Sequence, residues 1–171
     1  MDKHVVSILV ENNAGVLSRV SGLFSRRGYN IDSLSVGETE DPQYSRITVV
    51  TRGDDWVVEQ ICNQLKKLVV VERVMVLSPK TSVFRELALV RVRAEAQKRS
   101  EVVSIVEIFR AGIIDVSNDA LTIEVTGTQG KIKALVNLLE PYGILEIVRT
   151  GLTAIQRGDL WTENEDDAID E

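Results

Sequence analysis

The sequence is poor in the residues that many metal and catalytic sites need. Its 171 residues include one cysteine, Cys62, and one histidine, His4. One cysteine cannot form an intramolecular disulfide, and the two residues together cannot supply the four ligands of a structural zinc site. A catalytic triad would need His4 as its base. We therefore predict that this chain holds no metal site.

The scarcity of aromatic residues, basic charge and long apolar runs argues against nucleic-acid and membrane proteins. Aromatic residues make up 5% of the chain and its formal charge is -6, whereas a nucleic-acid interface needs clustered basic residues or exposed stacking aromatics. The sequence has neither an 18-residue apolar run nor a signal-peptide pattern. We therefore expect a cytoplasmic protein with no nucleic-acid partner and no membrane partner.

The negative charge is concentrated at the C-terminus. The 14 residues from Gly158 to Glu171 hold seven of the 26 acidic residues and no basic residue. The preceding 157 residues are therefore nearly neutral. We expect residues 158–171 to form a disordered acidic tail whose deletion leaves function intact.

The first half of the chain follows one order of strand and helix patterns. Val6, Ile8 and Val10 alternate as in a half-buried strand, and the next apolar residues follow a helical period that ends at Gly28. Asp54 is placed to cap a second helix. The predicted order is β-α-β-β-α-β, with strands at 5–10, 30–37, 44–51 and 69–77 and a first helix from 16 to 27.

The second half repeats that order. Its predicted strands are 87–94, 113–116, 121–125 and 143–150, and its predicted helices are 102–110 and 131–139. An offset of 74 residues aligns Thr48 with Thr122 and Glu72 with Glu146, which favours a duplicated architecture. We predict an α+β protein of two ferredoxin-like βαββαβ domains, at 1–78 and 83–157, joined by a linker at 79–82.

Several predicted strands are apolar on both faces, most clearly 69–77. Helices cover one face of such a sheet, so the other face must be covered by a second sheet. Because buried apolar surface contributes about 25 cal/mol per Å², we expect these faces to pair between domains or between chains. A homodimer is the simplest assembly.

The turn before the first helix is the candidate binding site. Free backbone amides at a helix start attract a carboxylate, and Gly15 lets a ligand approach closely. Asn12, Asn13 and Asn30 offer further polar contacts. The alternative is that an asparagine only caps the helix and Gly15 only permits the turn, and spacing alone favours this alternative.

Four stretches resemble one known family. The run VENNAGVLSRVSGLFSRRGYNIDSL, from Val10 to Leu34, is similar to the ACT-domain opening of acetolactate synthase (acetohydroxyacid synthase) regulatory small subunits. The other three are 45–50, 109–116 and 149–151, so the resemblance extends from about Val5 to Gly158.

The resemblance implies a regulatory subunit with no catalytic residues. Such a subunit would activate a catalytic subunit that carries thiamine diphosphate, Mg and FAD, and would confer feedback inhibition by valine or a related branched-chain amino acid. Residues 1–78 would be an ACT domain that dimerises and binds the effector, and the second domain would assist dimerisation and contact the catalytic subunit. The effector-binding residues implied by the match are Asn12, Asn13, Ala14, Gly15, Val16 and Leu17, with Asn30 and Ile31 across the interface.

Two other readings use the same fold. An acylphosphatase-like hydrolase needs an arginine in its first loop, but the first arginine here is Arg19, inside the predicted helix. A free-standing tandem ACT sensor that controls a different partner stays open at this point. Copurification with a catalytic subunit of acetolactate synthase distinguishes it from the main prediction.

Overall fold

The computed structural model describes residues 2–158, and the predicted acidic tail lies outside the described residues from Asp159 onward. Within the described range the chain forms nine strands and four α-helices, with a 3-10 turn at Glu140–Tyr142. In chain order these are β1 (Asp2–Glu11), α1 (Val16–Arg27), β2 (Ile31–Glu38), β3 (Tyr44–Gly53), α2 (Asp55–Leu65), β4 (Val71–Leu77), β5 (Ser82–Arg93), α3 (Arg99–Ile108), β6 (Gly112–Val116), β7 (Ala120–Gly127), α4 (Gln129–Leu139), β8 (Ile144–Arg149) and β9 (Thr153–Gln156).

The chain divides into two compact units. Among the described residues, unit 1 comprises residues 2–83 together with 152–158, and unit 2 comprises Phe84–Gly151. Unit 1 contains an antiparallel sheet with strand order β2-β3-β1-β4, and the main sheet of unit 2 has the equivalent order β6-β7-β5-β8. Each unit therefore has the predicted βαββαβ arrangement.

In both units, apolar residues from one sheet face and two helices form the core. The core of unit 1 joins alternate residues of β1 and β3 to α1 and α2, and includes Ile8, Ile47, Phe24 and Ile61, each at most 1% exposed. The core of unit 2 is built in the same way around Val90, Ile123 and Leu135. Burying one such side chain contributes about 1.5–3 kcal/mol, so these clusters stabilise each unit.

The helix ends follow the sequence signals. α1 spans the predicted residues and ends at Gly28, whose φ of 71° is the left-handed conformation that glycine adopts without strain. Asp54 caps α2 as predicted, because its Oδ1 accepts a hydrogen bond from the Val57 amide at 2.9 Å. None of the helices in the described range is long and apolar enough to cross a membrane.

The C-terminal boundary of the second unit differs from the expected one. Residues 152–157 were expected in the second domain, but the structure groups them with unit 1. Two hydrogen bonds join Leu152 to β2: its N–H donates to Ser33 Oγ at 2.8 Å, and its carbonyl accepts from Ser35 Oγ at 2.8 Å. The sequence did not predict β9, which follows directly.

This C-terminal segment contacts the sheet face opposite the helices. Ser35 pairs with Thr48, and Thr48 alternates along β3 with the core residues Ile47 and Val49. Leu152, bonded to Ser35, is 3% exposed. Part of the second face of this sheet is therefore covered within unit 1 itself, by residues that the sequence placed elsewhere.

Candidate functional site

The start of α1 has no side-chain cap. Gly15 is the N-cap residue in the left-handed conformation, with φ of 83°, and the first turn contains no acidic residue. The alternative that an asparagine caps this helix is therefore wrong. Among the described residues, the N–H groups of Gly15, Leu17 and Ser18 have no hydrogen-bond partner, whereas Val16 N–H bonds to the Asn13 carbonyl at 3.3 Å. These amides and the helix dipole create a local preference for an anion.

Asn12 has a structural role in the loop. Its Nδ2 donates to the Pro42 carbonyl at 3.0 Å and to Glu38 Oε1 at 3.4 Å, and its Oδ1 accepts from Ser45 Oγ at 3.0 Å. An asparagine side chain has four hydrogen-bonding positions, so little capacity is left for a ligand. Asn12 therefore fixes the loop against the β2–β3 hairpin.

The other predicted residues of this turn differ in exposure. Asn13 and Ala14 are exposed, and Asn13 Nδ2 donates to Glu11 Oε2 at 2.9 Å. The side chain of Val16 lies in the core at 4% exposure, whereas Leu17 is 42% exposed. Leu17 is thus the large apolar side chain of this turn that a ligand can reach.

Asn30 is fixed at both its backbone and its side chain. Its carbonyl accepts from Thr51 Oγ1 at 2.8 Å, and its Nδ2 donates to Asp32 Oδ1 at 2.8 Å. Asp32 also accepts from Arg52 Nε at 2.7 Å and lies 3.5 Å from Lys3 Nζ. The Arg52 hydrogen bond, with smaller contributions from the Arg52 charge, Asn30 and Lys3, holds the pKa of the Asp32 carboxyl below its ordinary value, although burial opposes this shift.

The register separates Asn30 and Ile31 from the turn at Asn12–Leu17. Ile31 pairs with Thr51, which pairs with His4 near the start of β1, whereas the loop follows Glu11 at the end of β1. Glu11 lies seven positions after His4 along β1, which is about 23 Å at about 3.3 Å per residue. Within one chain, the two parts of the predicted site therefore lie at opposite ends of the sheet.

Comparison with known proteins identifies the family. Residues 6–73 match the model of the AHAS small subunit-like ACT domain, and residues 85–158 match the model for the small subunit of acetolactate synthase. A relative from Methanothermobacter thermautotrophicus, named a probable acetolactate synthase small subunit, is 52% identical over 92% of this chain and 94% of its own length. The chain belongs to the family of acetolactate synthase small subunits.

Two further relatives agree with this assignment. The acetolactate synthase small subunit of Mycobacterium bovis is 50% identical over 91% of this chain and 92% of its own length. The crystal structure of the acetolactate synthase small subunit from Thermotoga maritima superimposes with a TM-score of 0.87 at 44% identity, covering 93% of this chain and 99% of that one. The predicted family and the predicted fold, two ferredoxin-like units of which the first is an ACT domain, are confirmed.

Three residues of α1 and β2 that were not among the predicted site residues also have features of interest. Ser18 contributes a free backbone amide, Glu38 contacts Asn12, and Val36 on β2 is 46% exposed although it pairs with the buried Ile47. The alternation of β2 could have indicated Val36, because it occupies a core-facing position of an edge strand. The contact of Glu38 depends on the tertiary structure.

Away from the turn, the described range contains a histidine, His4, and a cavity. No group of three or more His, Cys, Asp or Glu residues within positions 2–158 is placed to hold a metal ion. His4 donates from Nε2 to the Gly53 carbonyl at 3.2 Å. A cavity of about 360 Å³ lies beside β2 and β3, lined in part by Ser35, Arg46 and Thr48, and the predicted site residues are not among those that line it.

Proposed function

We propose that this chain activates the catalytic subunit of acetolactate synthase and makes it sensitive to feedback inhibition by valine. The catalytic subunit, with thiamine diphosphate, Mg and FAD, would convert two pyruvate molecules to 2-acetolactate and CO₂. The chain would contribute regulation in branched-chain amino-acid biosynthesis. The observation that carries this proposal is the uncapped start of α1, next to Gly15, in a member of the small-subunit family.

The start of α1 has the chemistry to bind the carboxylate of an amino acid. The free amides of Gly15, Leu17 and Ser18 are donors, and a carboxylate would be stabilised by the helix dipole, typically by about 0.3–1 kcal/mol at an exposed site. The nearby apolar surface of Leu17 suits an aliphatic side chain. Asn12 would keep the loop in place rather than contact the ligand.

A second copy of the chain can complete the pocket. β2 is an edge strand of the sheet in unit 1, so its outer backbone groups are available for pairing. If two β2 strands pair antiparallel about a two-fold axis, the Asn30 end of one lies beside the Glu38 end of the other. Because Asn12 contacts Glu38, the partner's Asn30 would arrive near the turn. The register thus supports a homodimer with Asn30 and Ile31 across the interface.

The size of the ligand side chain limits how selective this pocket can be. Valine has two more carbons than alanine, which are worth about 1.6 kcal/mol or roughly fifteenfold in affinity at about 0.8 kcal/mol per buried CH₂. Leucine and isoleucine add one further carbon, so only the shape of the pocket can reject them. We propose valine as the preferred effector, with its branched-chain relatives as weaker ligands.

The test is an activity assay with the purified catalytic subunit. Acetolactate formation is measured for the catalytic subunit alone, with this chain, and with this chain plus valine. We expect this chain to raise the rate and valine to lower it again. Coupling of about 1–3 kcal/mol between the two sites corresponds to a five- to 150-fold change in valine affinity between regulatory states.

Two controls separate binding from regulation. Alanine at the same concentration should inhibit far less than valine, and calorimetry on this chain alone should show valine binding. Valine binding without any effect on acetolactate synthase would instead support control of a different partner. The absence of both valine binding and activation would overturn the proposal.

A further inference from the structure

Asn30 is held in one amide orientation by Asp32. The amide nitrogen of Asn30 donates to Asp32 Oδ1 at 2.8 Å, and Thr51 fixes the Asn30 carbonyl. Because the two polar atoms of a planar amide lie on opposite sides of its central carbon, the oxygen, Oδ1, faces away from Asp32. Among the described residues Oδ1 has no hydrogen-bond partner, and Asn30 is exposed. The side chain therefore presents an acceptor outward.

Asp32 is itself held from three sides. Arg52 on β3 donates to Oδ2 at 2.7 Å, Lys3 on β1 lies 3.5 Å from the same oxygen, and Asn30 contacts the other oxygen. The Asp32 side chain is 13% exposed, whereas those of Lys3 and Arg52 are about half exposed. The two cations keep the carboxylate ionised and in place, with one oxygen turned to Asn30.

We propose that Asp32 is a positioning residue for amino-acid recognition, which turns Oδ1 of Asn30 outward as an acceptor for the ammonium group of the effector. The inference rests on the proposed function, since Asn30 must lie across the interface from the bound amino acid. An ammonium group offers three donors and no acceptor. A freely rotating amide would present nitrogen as readily as oxygen, so the fixed orientation favours an α-amino acid over the same carbon skeleton without nitrogen.

The corresponding strand of unit 2, β6, has no counterpart of the Asn30–Asp32 pair. β6 begins Gly112-Ile113-Ile114, where β2 is preceded by Asn30 and continues with Ile31 and Asp32. Both strands have a register shift at this point, between Ile31 and Ser33 and between Ile113 and Asp115. The bulged residue is Asp32 in one strand and Ile114 in the other. The polar network is therefore not a requirement of the bulge.

The test is a double-mutant cycle on the full chain, with valine as the probe. The Kd for valine is measured by calorimetry for wild type, Asp32→Ala, Asn30→Ala and the double variant. If Asp32 acts through Asn30, Asp32→Ala weakens valine binding about five- to tenfold, the scale of one lost hydrogen bond. The same change made in Asn30→Ala should have less than a twofold effect.

A second probe separates positioning from a general structural role. The ligand 3-methylbutanoate has the carbon skeleton and carboxylate of valine but no ammonium group. In Asp32→Ala its affinity, measured by NMR titration, should be unchanged, so that the preference for valine falls about five- to tenfold. An equal loss for both probes would assign Asp32 a structural role and overturn the inference.

Two control variants test whether the effect is specific to Asp32 and whether it survives a milder substitution. Asp115→Ala removes an aspartate from the matching strand of unit 2 and should leave valine affinity unchanged. Asp32→Asn preserves the side-chain volume and one acceptor, so it replaces Asp32→Ala if that variant does not fold and should show a smaller loss. Full valine affinity in Asp32→Ala, or losses that add in the double variant, would overturn this inference alone. No valine binding in wild type would overturn the proposed function as well.

Discussion

The two units share a strand order but secure the loop before their first helix in different ways. In unit 1, the neutral amide of Asn12 bonds to the β2–β3 hairpin. In unit 2, the guanidinium of Arg99 bonds to the carbonyl groups of Ala94, Ser117 and Asn118 at 2.6–3.0 Å, and so joins the loop to the β6–β7 turn. An uncharged amide thus holds this loop in unit 1, and a cation holds the equivalent loop in unit 2.

The first turns of α1 and α3 also differ in charge. The first turn of α1 has no acidic residue and leaves amides free, whereas the first turn of α3 contains Glu101. A carboxylate near a helix start interacts favourably with its dipole, so α3 already has an internal anion where α1 has none. Both units therefore have the same kind of core, and the candidate effector site of unit 1 depends on a few residues in the loop before its first helix.

The largest expected effect is on the turn of unit 1. Gly15→Asp places a carboxylate where that of the ligand would bind, and like-charge contact costs several kcal/mol. We expect a loss of roughly a hundredfold or more in valine affinity, measured by calorimetry. An added Cβ at Gly15 meets no atom within 4 Å, but φ of 83° imposes some backbone strain.

Gly15→Asn is the matched control for this variant. It adds a side chain of the same size without charge, and asparagine tolerates the left-handed conformation. It should retain more valine affinity than Gly15→Asp. If the two folded variants bind valine equally well, the carboxylate site has been placed wrongly.

A smaller effect is expected in unit 2. Arg99→Ala removes a charged group that satisfies three backbone carbonyls, so it should lower the free energy of unfolding by about 2 kcal/mol, measured by chemical denaturation. Lys98→Ala, which removes the exposed basic side chain one residue earlier, should change it by less than about 0.5 kcal/mol. Valine affinity should be unchanged in both, and a loss in Arg99→Ala would connect unit 2 to the effector site.

The smallest effect is expected for the corresponding residue of unit 1. Asn12→Ala removes the bonds to Pro42 and Ser45 and should cost about 1 kcal/mol in the free energy of unfolding. Valine affinity should fall severalfold because the loop loses its support. Asn13→Ala removes one exposed contact to Glu11 and is the matched control. Equal effects of the two changes would show that Asn12 has no special role in holding the loop.

The sequence predicted the fold well wherever the signal was local. The apolar period from Val16 to Phe24, with Gly28 after it, defined α1, and Asp54 marked the start of α2. These signals succeed because a helix end depends on backbone groups within a few residues. Local signals did not indicate the contacts of Leu152, which bonds to Ser33 and Ser35, more than 110 residues away.

By itself, therefore, the sequence determined the two βαββαβ units, the family and the turn at Gly15 as the candidate site. Only the tertiary structure decided what each residue of that site can do. Strand register separates Asn30 from Asn12 by the length of the sheet, and contacts across strands bind Asn12 to the hairpin and Asn30 to Asp32. The physical reason is that helix and strand periodicity is local, whereas hydrogen-bond partners of loop side chains come from distant segments that only the folded chain brings together.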